Sequence, residues 1–402
     1  MKNLARSTAD AQGLLAPTDG NTIVSFKSNT VIDLAYLNDT TVQASGSDDT
    51  VNLVSGDNDG SEGSGNNVFI SGGRTLVTVG DSGSAMGNSI YLLGNSETVS
   101  GAGFLGSYDH IEVDGKAASI TVGGFNSVTL NGKDANVTIL PTQDAGSIDP
   151  SGDNSVVATG SEKQTVTGAG ADFSFSGGAG HYTVSGGSAE NTTISGGSGG
   201  GVFTGGYYND PYISLPSGGY YVGNSVITAG TQKSTLVGAL HGSSVLTAAG
   251  KAGDVLIAGE YGNDTLSGGS STAGNLYEGY TGIYTPTDDP TTPSLVVSAG
   301  SGNDTLVAGL AAETLTGGAG HDVFRFLAQA GGGLPEGGNN TLITDFVPGA
   351  DRIDLQGFSV TAQQVVASAT VSGGSTYLTL PGGVDVTLSH VTHLSAKDFT
   401  HS

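Results

Sequence analysis

"SGNDTLVAGLAAETLTGGAGHDVFRF", residues 301–326, decides the fold. It sets Asp304, Glu313 and Asp322 nine residues apart, and Leu306, Leu315 and Phe324 keep the same step two places later. Gly300, Gly309 and Gly318 share one phase of this beat, and Gly302 and Gly320 share another. A two- or three-residue strand followed by a glycine-rich turn cannot bury a core alone, but stacked copies bury a continuous one. Glycine suits such turns because they need positive φ and close backbone approach, both of which a Cβ obstructs.

The beat recurs along the chain. "GAGADFSFS", "GGAGHYTVS", "GGSAENTTIS" and "GGSGGGVFT" run consecutively from Gly168 to Thr204. Upstream, "GKAASITV", "GGFNSVTLN" and "GKDANVTIL" cover Gly115 to Leu140 and place Val113, Val122, Leu130 and Ile139 eight or nine apart. Two units complete a coil of about eighteen residues, and residues one coil apart stack at strand spacing, ~4.8 Å. The expected fold class is all-β, a parallel β-roll or β-helix solenoid with about nine residues per strand-turn unit.

Composition agrees and narrows the function. The chain has 402 residues, of which 69 are glycine, and long helices are therefore disfavoured. There are 37 acidic residues against 12 basic ones, a formal charge of −25, which repels nucleic-acid phosphates and calls for counter-ions. With no cysteine, disulfides and thiolate chemistry are excluded. No apolar run reaches the ~18 residues of a spanning helix, so membrane insertion is not expected. The opening "MKNLARSTADAQGLLAPTDG" lacks the apolar core of a signal peptide, and export by the general secretory route is not expected either.

In an eighteen-residue coil, Asp304 and Asp322 lie one above the other, with turn carbonyls of both coils pointing into the gap. That is a hard-cation arrangement, since calcium takes six to eight oxygens and mixes carboxylates with backbone carbonyls. Glu313 falls on the opposite edge, in a unit that has lost its turn glycine at Ala311.

"GGAGHDVFR" at 317–325 fits every fixed place of G-G-x-G-x-D-x-U-x, and "AGSGNDTLV" at 299–307, "GEYGNDTLS" at 259–267 and "AGKAGDVLI" at 249–257 fit in part. At these residues the chain resembles the hemolysin-type calcium-binding repeat family, the RTX (repeats-in-toxin) β-roll. The resemblance implies a right-handed roll with calcium between its turns. The ligands it implies are the carboxylates of Asp254, Asp264, Asp304 and Asp322, with carbonyl donors at Gly259, Gly262, Gly300, Gly302, Gly318 and Gly320. Between 168 and 204 the carboxylate place holds Phe173, Tyr182 and Asn191, where stacking without metal is expected. "SSTAGNLYEGYTGIYTPTDDPTTP", within about 270–297, breaks the register.

"TLITDFVPGADRIDLQGF", 341–358, looks like the capping segment that follows such repeats in serralysin-type secreted proteins, and the C-terminal region from 382, including Asp398 and Phe399, is similar to that read by type I secretion machinery. Residues 361–370, "TAQQVVASAT", are expected to form a short capping helix. The expected organisation is a degenerate solenoid over 1–248, a calcium-binding roll over 249–327 with an inserted loop near 270–297, and a cap with secretion signal over 328–402. The expected location is extracellular or at a bacterial cell surface.

No catalytic constellation emerges. The histidines at 110, 181, 241, 321, 390, 393 and 401 form no His-Glu-x-x-His, and "GGSGG" and "GAGFLG" lack the strand-to-helix context of a hydrolase elbow or dinucleotide loop. Lys116 and Lys133 beside Asp134 form a thin lyase-like grouping. Tyrosines gather at Tyr207, Tyr208, Tyr212, Tyr220 and Tyr221, and again at Tyr277, Tyr280 and Tyr284. The expected function is a non-enzymatic, calcium-stabilised structural protein of surface layer, matrix or filament, with self-association as the partnership. The alternatives are an adhesin that binds cell-surface polysaccharide through the tyrosine loops, and a β-helix polysaccharide lyase or epimerase.

Overall fold

The computed structural model describes residues 14–401 except 16–21, 35–38, 54–64, 80–86, 102–109, 124–126, 133, 141–142, 145–146, 149–152, 159–162, 170–171, 188, 190, 207–222, 240–241, 251–252, 260–261, 280–293, 310 and 329–338. Two compact units divide the chain, one reaching Thr193 with Gly197–Gly199, the other holding Ile194–Gly196 and Gly200–Ser402.

In the first unit, strands alternate between two parallel stacks. One stack runs Thr22–Ser25, Thr41–Ala44, Asn67–Ile70, Ser89–Leu92, His110–Val113, Ser127–Leu130, Asp153–Ala158 and Asp172–Gly177. The other runs from Leu14–Leu15 through Val31–Asp33, Thr50–Leu53, Leu76–Val79, Thr98–Gly101, Ser119–Gly123, Asn136–Leu140 and Lys163–Thr167 to His181–Ser185. Side chains alternate across each strand, so a four-residue strand sends two inward, and each inward column takes one residue per coil. Ile32, Val51, Val77, Val99, Ile120 and Val137 form one such buried column, each aligned with the next by strand register.

The second unit repeats this plan. Its first stack is Asn224–Thr228, Ser244–Thr247, Asn263–Ser267, Ser294–Ser298, Ala312–Thr316, Asn339–Ile343 and Val384–Leu388. Its second is Gly200–Thr204, Ser234–Val237, Val255–Ile257, Leu276–Glu278, Thr305–Val307, Val323–Leu327, Arg352–Gln356 and Phe399–Thr400. The architecture is a parallel β-roll or β-helix solenoid.

Coil length varies more than the nine-residue beat suggests. The step from Asp304 to Asp322 is 18 residues, but Asp254 to Asn275 is 21 and Asn275 to Asp304 is 29. The extra residues fall outside the strands, where added length costs little, so the register survives. The register-breaking segment accordingly contributes a regular strand, Leu276–Glu278. Tyr277 is fully buried there, its hydroxyl donating to the Ala299 carbonyl at 3.0 Å. It is core and not part of a glycan platform. The other seven grouped tyrosines lie outside the described residues, as does Lys133.

One further correction concerns 168–204. Phe173 and Tyr182 fill the inward place as expected, and the Tyr182 hydroxyl accepts from the N–H groups of Gly178 and Gly180, both at 2.9 Å. Asn191 instead faces outward to Asp172, because its unit has ten residues, and Thr192 takes the inward place. The capping helix forms as Ala362–Ser368, where Thr361 and Gln364 make a reciprocal capping box. Antiparallel strands Thr370–Ser372 and Ser375–Leu380 then cover the edge of Val384–Leu388.

Candidate metal centre

At the start of, or just before, each of the second-stack strands from Ser234–Val237 to Arg352–Gln356 stands one inward-facing polar residue. Its backbone N–H donates to the side-chain oxygen of the equivalent residue one coil on. The N–H of Ser234 donates to Asp254 Oδ1 (2.8 Å), that of Asp254 to Asn275 Oδ1 (2.9 Å), and that of Asn275 to Asp304 Oδ1 (2.6 Å). Asp304 continues to Asp322 Oδ1 (2.9 Å), and Asp322 to Asp351 Oδ1 (3.0 Å). The structure thus brings Asp254, Asp304 and Asp322 into one column and adds three members that the spacing missed, Ser234, Asn275 and Asp351. Asn275 and Asp351 were hidden by 29-residue steps.

Asp264 stands apart, on the edge of the other stack. Its register neighbour one coil on is Leu295, so no second carboxylate adjoins it on that side. Both its oxygens accept backbone N–H groups, Ser244 at 2.7 Å and Gly259 at 2.6 Å. Glu313, further along the same edge, accepts from Gly309 N–H at 2.6 Å and from Thr341 Oγ1 at 3.4 Å. Complete burial pushes it up to about 7.

What the second carboxylate oxygen does separates the four aspartates. In Asp254 and Asp264 it accepts the N–H five residues earlier, from Ala249 at 3.0 Å and Gly259. That bond closes the turn on itself. At Asp304 the equivalent amide, Ala299, donates to the Thr316 carbonyl instead, and Asp304 Oδ2 is left buried without a partner. At Asp322 the equivalent amide, Gly317, donates to Asp345 Oδ1 at 3.0 Å.

The glycines complete this gap. Gly300, Gly302, Gly318 and Gly320 all have positive φ. A Cβ on Gly318 would come within 2.0 Å of the Gly300 carbonyl oxygen, and one on Gly320 within 1.7 Å of the Gly302 oxygen. Carbonyl oxygens therefore crowd the axis where no side chain fits. Gly259 and Gly262 stack in the same way on the carbonyls of Ala239 and Gly242.

Electrostatics point the same way. Burial raises Asp304 to about 6, with the charge of Asp322 adding to it. Burial also raises Asp322, helped by Asp351 and Asp345, and it raises Asp254 and brings Asp264 to about 6. A cation relieves both penalties at once. Among the described residues no three His, Cys, Asp or Glu side chains converge. The donor set fits calcium best between the coils of Asp304 and Asp322, which would hold it with the carbonyls of Gly300, Gly302, Gly318 and Gly320.

Residues 247–271, containing Asp254, Gly259, Gly262 and Asp264, match the RTX calcium-binding nonapeptide repeat (4 copies). Residues 295–396, containing Asp304, Asp322 and the cap, match the Peptidase M10 serralysin C terminal. No curated protein matches the chain. The chain therefore carries RTX calcium-binding repeats with a serralysin-type C-terminal region, and its cofactor is calcium. These segments mark extracellular proteins exported by type I secretion, and the serralysin C-terminal region is a non-catalytic part of its proteases. No described helix is long and apolar enough to cross a membrane.

Proposed function

We propose that this secreted calcium-binding protein is a structural, non-enzymatic component of a surface layer or extracellular matrix, which folds on calcium and then associates with copies of itself. On this reading residues 249–327 are the calcium-driven roll, 328–402 its cap and secretion region, and 1–248 a degenerate solenoid.

One face of the second unit carries the reading. Strand register aligns Val226, Val245, Thr265, Val296, Thr314, Leu342, Thr387 and Tyr377 in a single outward row. Val226, Val245 and Val296 are 48%, 43% and 45% exposed, far more than a buried core column allows. The flanking outward positions from Asn224 to Thr344 are Asn, Ser, Thr and Ala among the described residues. A chain of formal charge −25 repels its own copies almost everywhere, so an uncharged, β-branched face is where a second copy can approach.

Light scattering while calcium is raised from chelator to about 10 mM tests the proposal, since that range brackets weak extracellular sites. Growth from monomer to large species is expected, and a Val245→Lys, Val296→Lys chain should fold on calcium yet stay monomeric. A wild-type chain that remains a folded monomer throughout would overturn self-association.

A further inference from the structure

The first unit contains a buried polar column that lies outside both matched segments. Asp49, Thr75 and Glu97 precede the strands Thr50–Leu53, Leu76–Val79 and Thr98–Gly101, which pair in register, so the three residues stack on consecutive coils. All are at most 1% exposed. Asp49 Oδ2, Thr75 Oγ1 and both oxygens of Glu97 are buried without a hydrogen-bond partner, apart from Glu97's own backbone amide.

Their turns share a form that the nine-residue beat did not reveal. Gly46, Gly72 and Gly94 each stand three residues before the inward group, and the residue between, Asp48, Arg74 or Ser96, has φ near +60 (60, 56 and 62). The glycines stack so closely that a Cβ on Gly72 would meet the Gly46 carbonyl oxygen. The point where a Gly94 Cβ would sit is 1.8 Å from the Gly72 carbonyl oxygen and 2.1 Å from Glu97 Oε1. A Cβ on Gly115 would lie 1.5 Å from the Gly94 oxygen and 3.3 Å from Glu97 Oε2. The Glu97 carboxylate thus lies beside the Gly72 and Gly94 carbonyl oxygens, and neither of its oxygens accepts a hydrogen bond from another residue.

Protein cations do not resolve this conflict. Arg74, next to Thr75, turns outward and holds Asp48 with two 2.7 Å hydrogen bonds on the surface. Lys116, in the following turn, is exposed. Such an all-oxygen set suits a hard divalent cation.

We propose that Glu97, with Thr75 Oγ1 and the carbonyls of Gly72 and Gly94, forms a further calcium site in the first unit, and that Asp49 supplies charge from the far side of Thr75. The site stands independently of the aspartate column in the second unit.

Equilibrium dialysis with radioactive calcium on the full chain tests it, with magnesium as competitor control. Glu97→Gln should bind one calcium fewer than wild type while keeping those removed by Asp304→Asn with Asp322→Asn. Equal stoichiometry in wild type and Glu97→Gln would overturn the proposal. If Glu97→Gln does not fold, hydrogen exchange in the Asp304→Asn, Asp322→Asn chain decides. Calcium should slow exchange at Leu76–Val79 and Thr98–Gly101 at least tenfold, and calcium-independent exchange there would overturn the site.

Discussion

The backbone N–H of Asp304 donates to Oδ1 of Asp322 across one coil at 2.9 Å, while Oδ2 of Asp304 stays buried without a partner. One contact joins two coils, and the other oxygen accepts no hydrogen bond. Asp254 stands in the same column with both oxygens satisfied by backbone N–H groups.

The two aspartates should therefore fail differently when neutralised. Asp304→Asn is expected to weaken calcium binding by at least about tenfold in calorimetry, because a ligating charge is lost. Asp254→Asn should leave that affinity nearly intact but set its amide donors against the Ala249 N–H, destabilising the calcium-loaded chain by ~1–3 kcal/mol in urea unfolding.

Glu313 should make stability fall as pH rises. Its folded value of about 7 lies above its ordinary 4.5, so the folded chain keeps the proton longer than the unfolded chain does. Its contribution is complete below about pH 4.5 and is lost as pH passes through about 7, on the order of 3 kcal/mol by pH 9. Glu313→Gln, which cannot ionise, should flatten that part of the profile in denaturation curves taken at saturating calcium.

Two glycines of similar φ should respond unequally to alanine. Gly318 has φ +91 and its Cβ would strike the Gly300 carbonyl oxygen, whereas Gly349 has φ +88 with nothing within 4 Å of its Cβ. Gly349→Ala should cost the left-handed strain alone, about 1–2 kcal/mol. Gly318→Ala should cost at least ~3 kcal/mol and lower calcium affinity, because neighbouring coils must separate. Thermal unfolding with and without calcium reads both.

Tyr277→Phe keeps the ring and removes the hydroxyl that receives Asn275 Nδ2 at 3.0 Å and donates to Ala299. The buried amide and carbonyl left behind predict a loss of ~1–3 kcal/mol in denaturant unfolding.

The amino-acid sequence determined the solenoid, its strands and the acid pair at Asp304 and Asp322, because a nine-residue phase is a local property that glycine and aliphatic spacing record directly. It also placed the capping helix, where Thr361 and Gln364 form a local box. Only the tertiary structure decided which groups share a column. Asn275 and Asp351 join the aspartates across steps of 29 residues, and Asp264 leaves them for the other stack. Likewise Glu97 follows no nonapeptide pattern, and its carboxylate became conspicuous only once stacking set it between the Gly72 and Gly94 carbonyls. The physical reason is that strand register fixes neighbours along the axis, while the connections between strands vary in length at little cost.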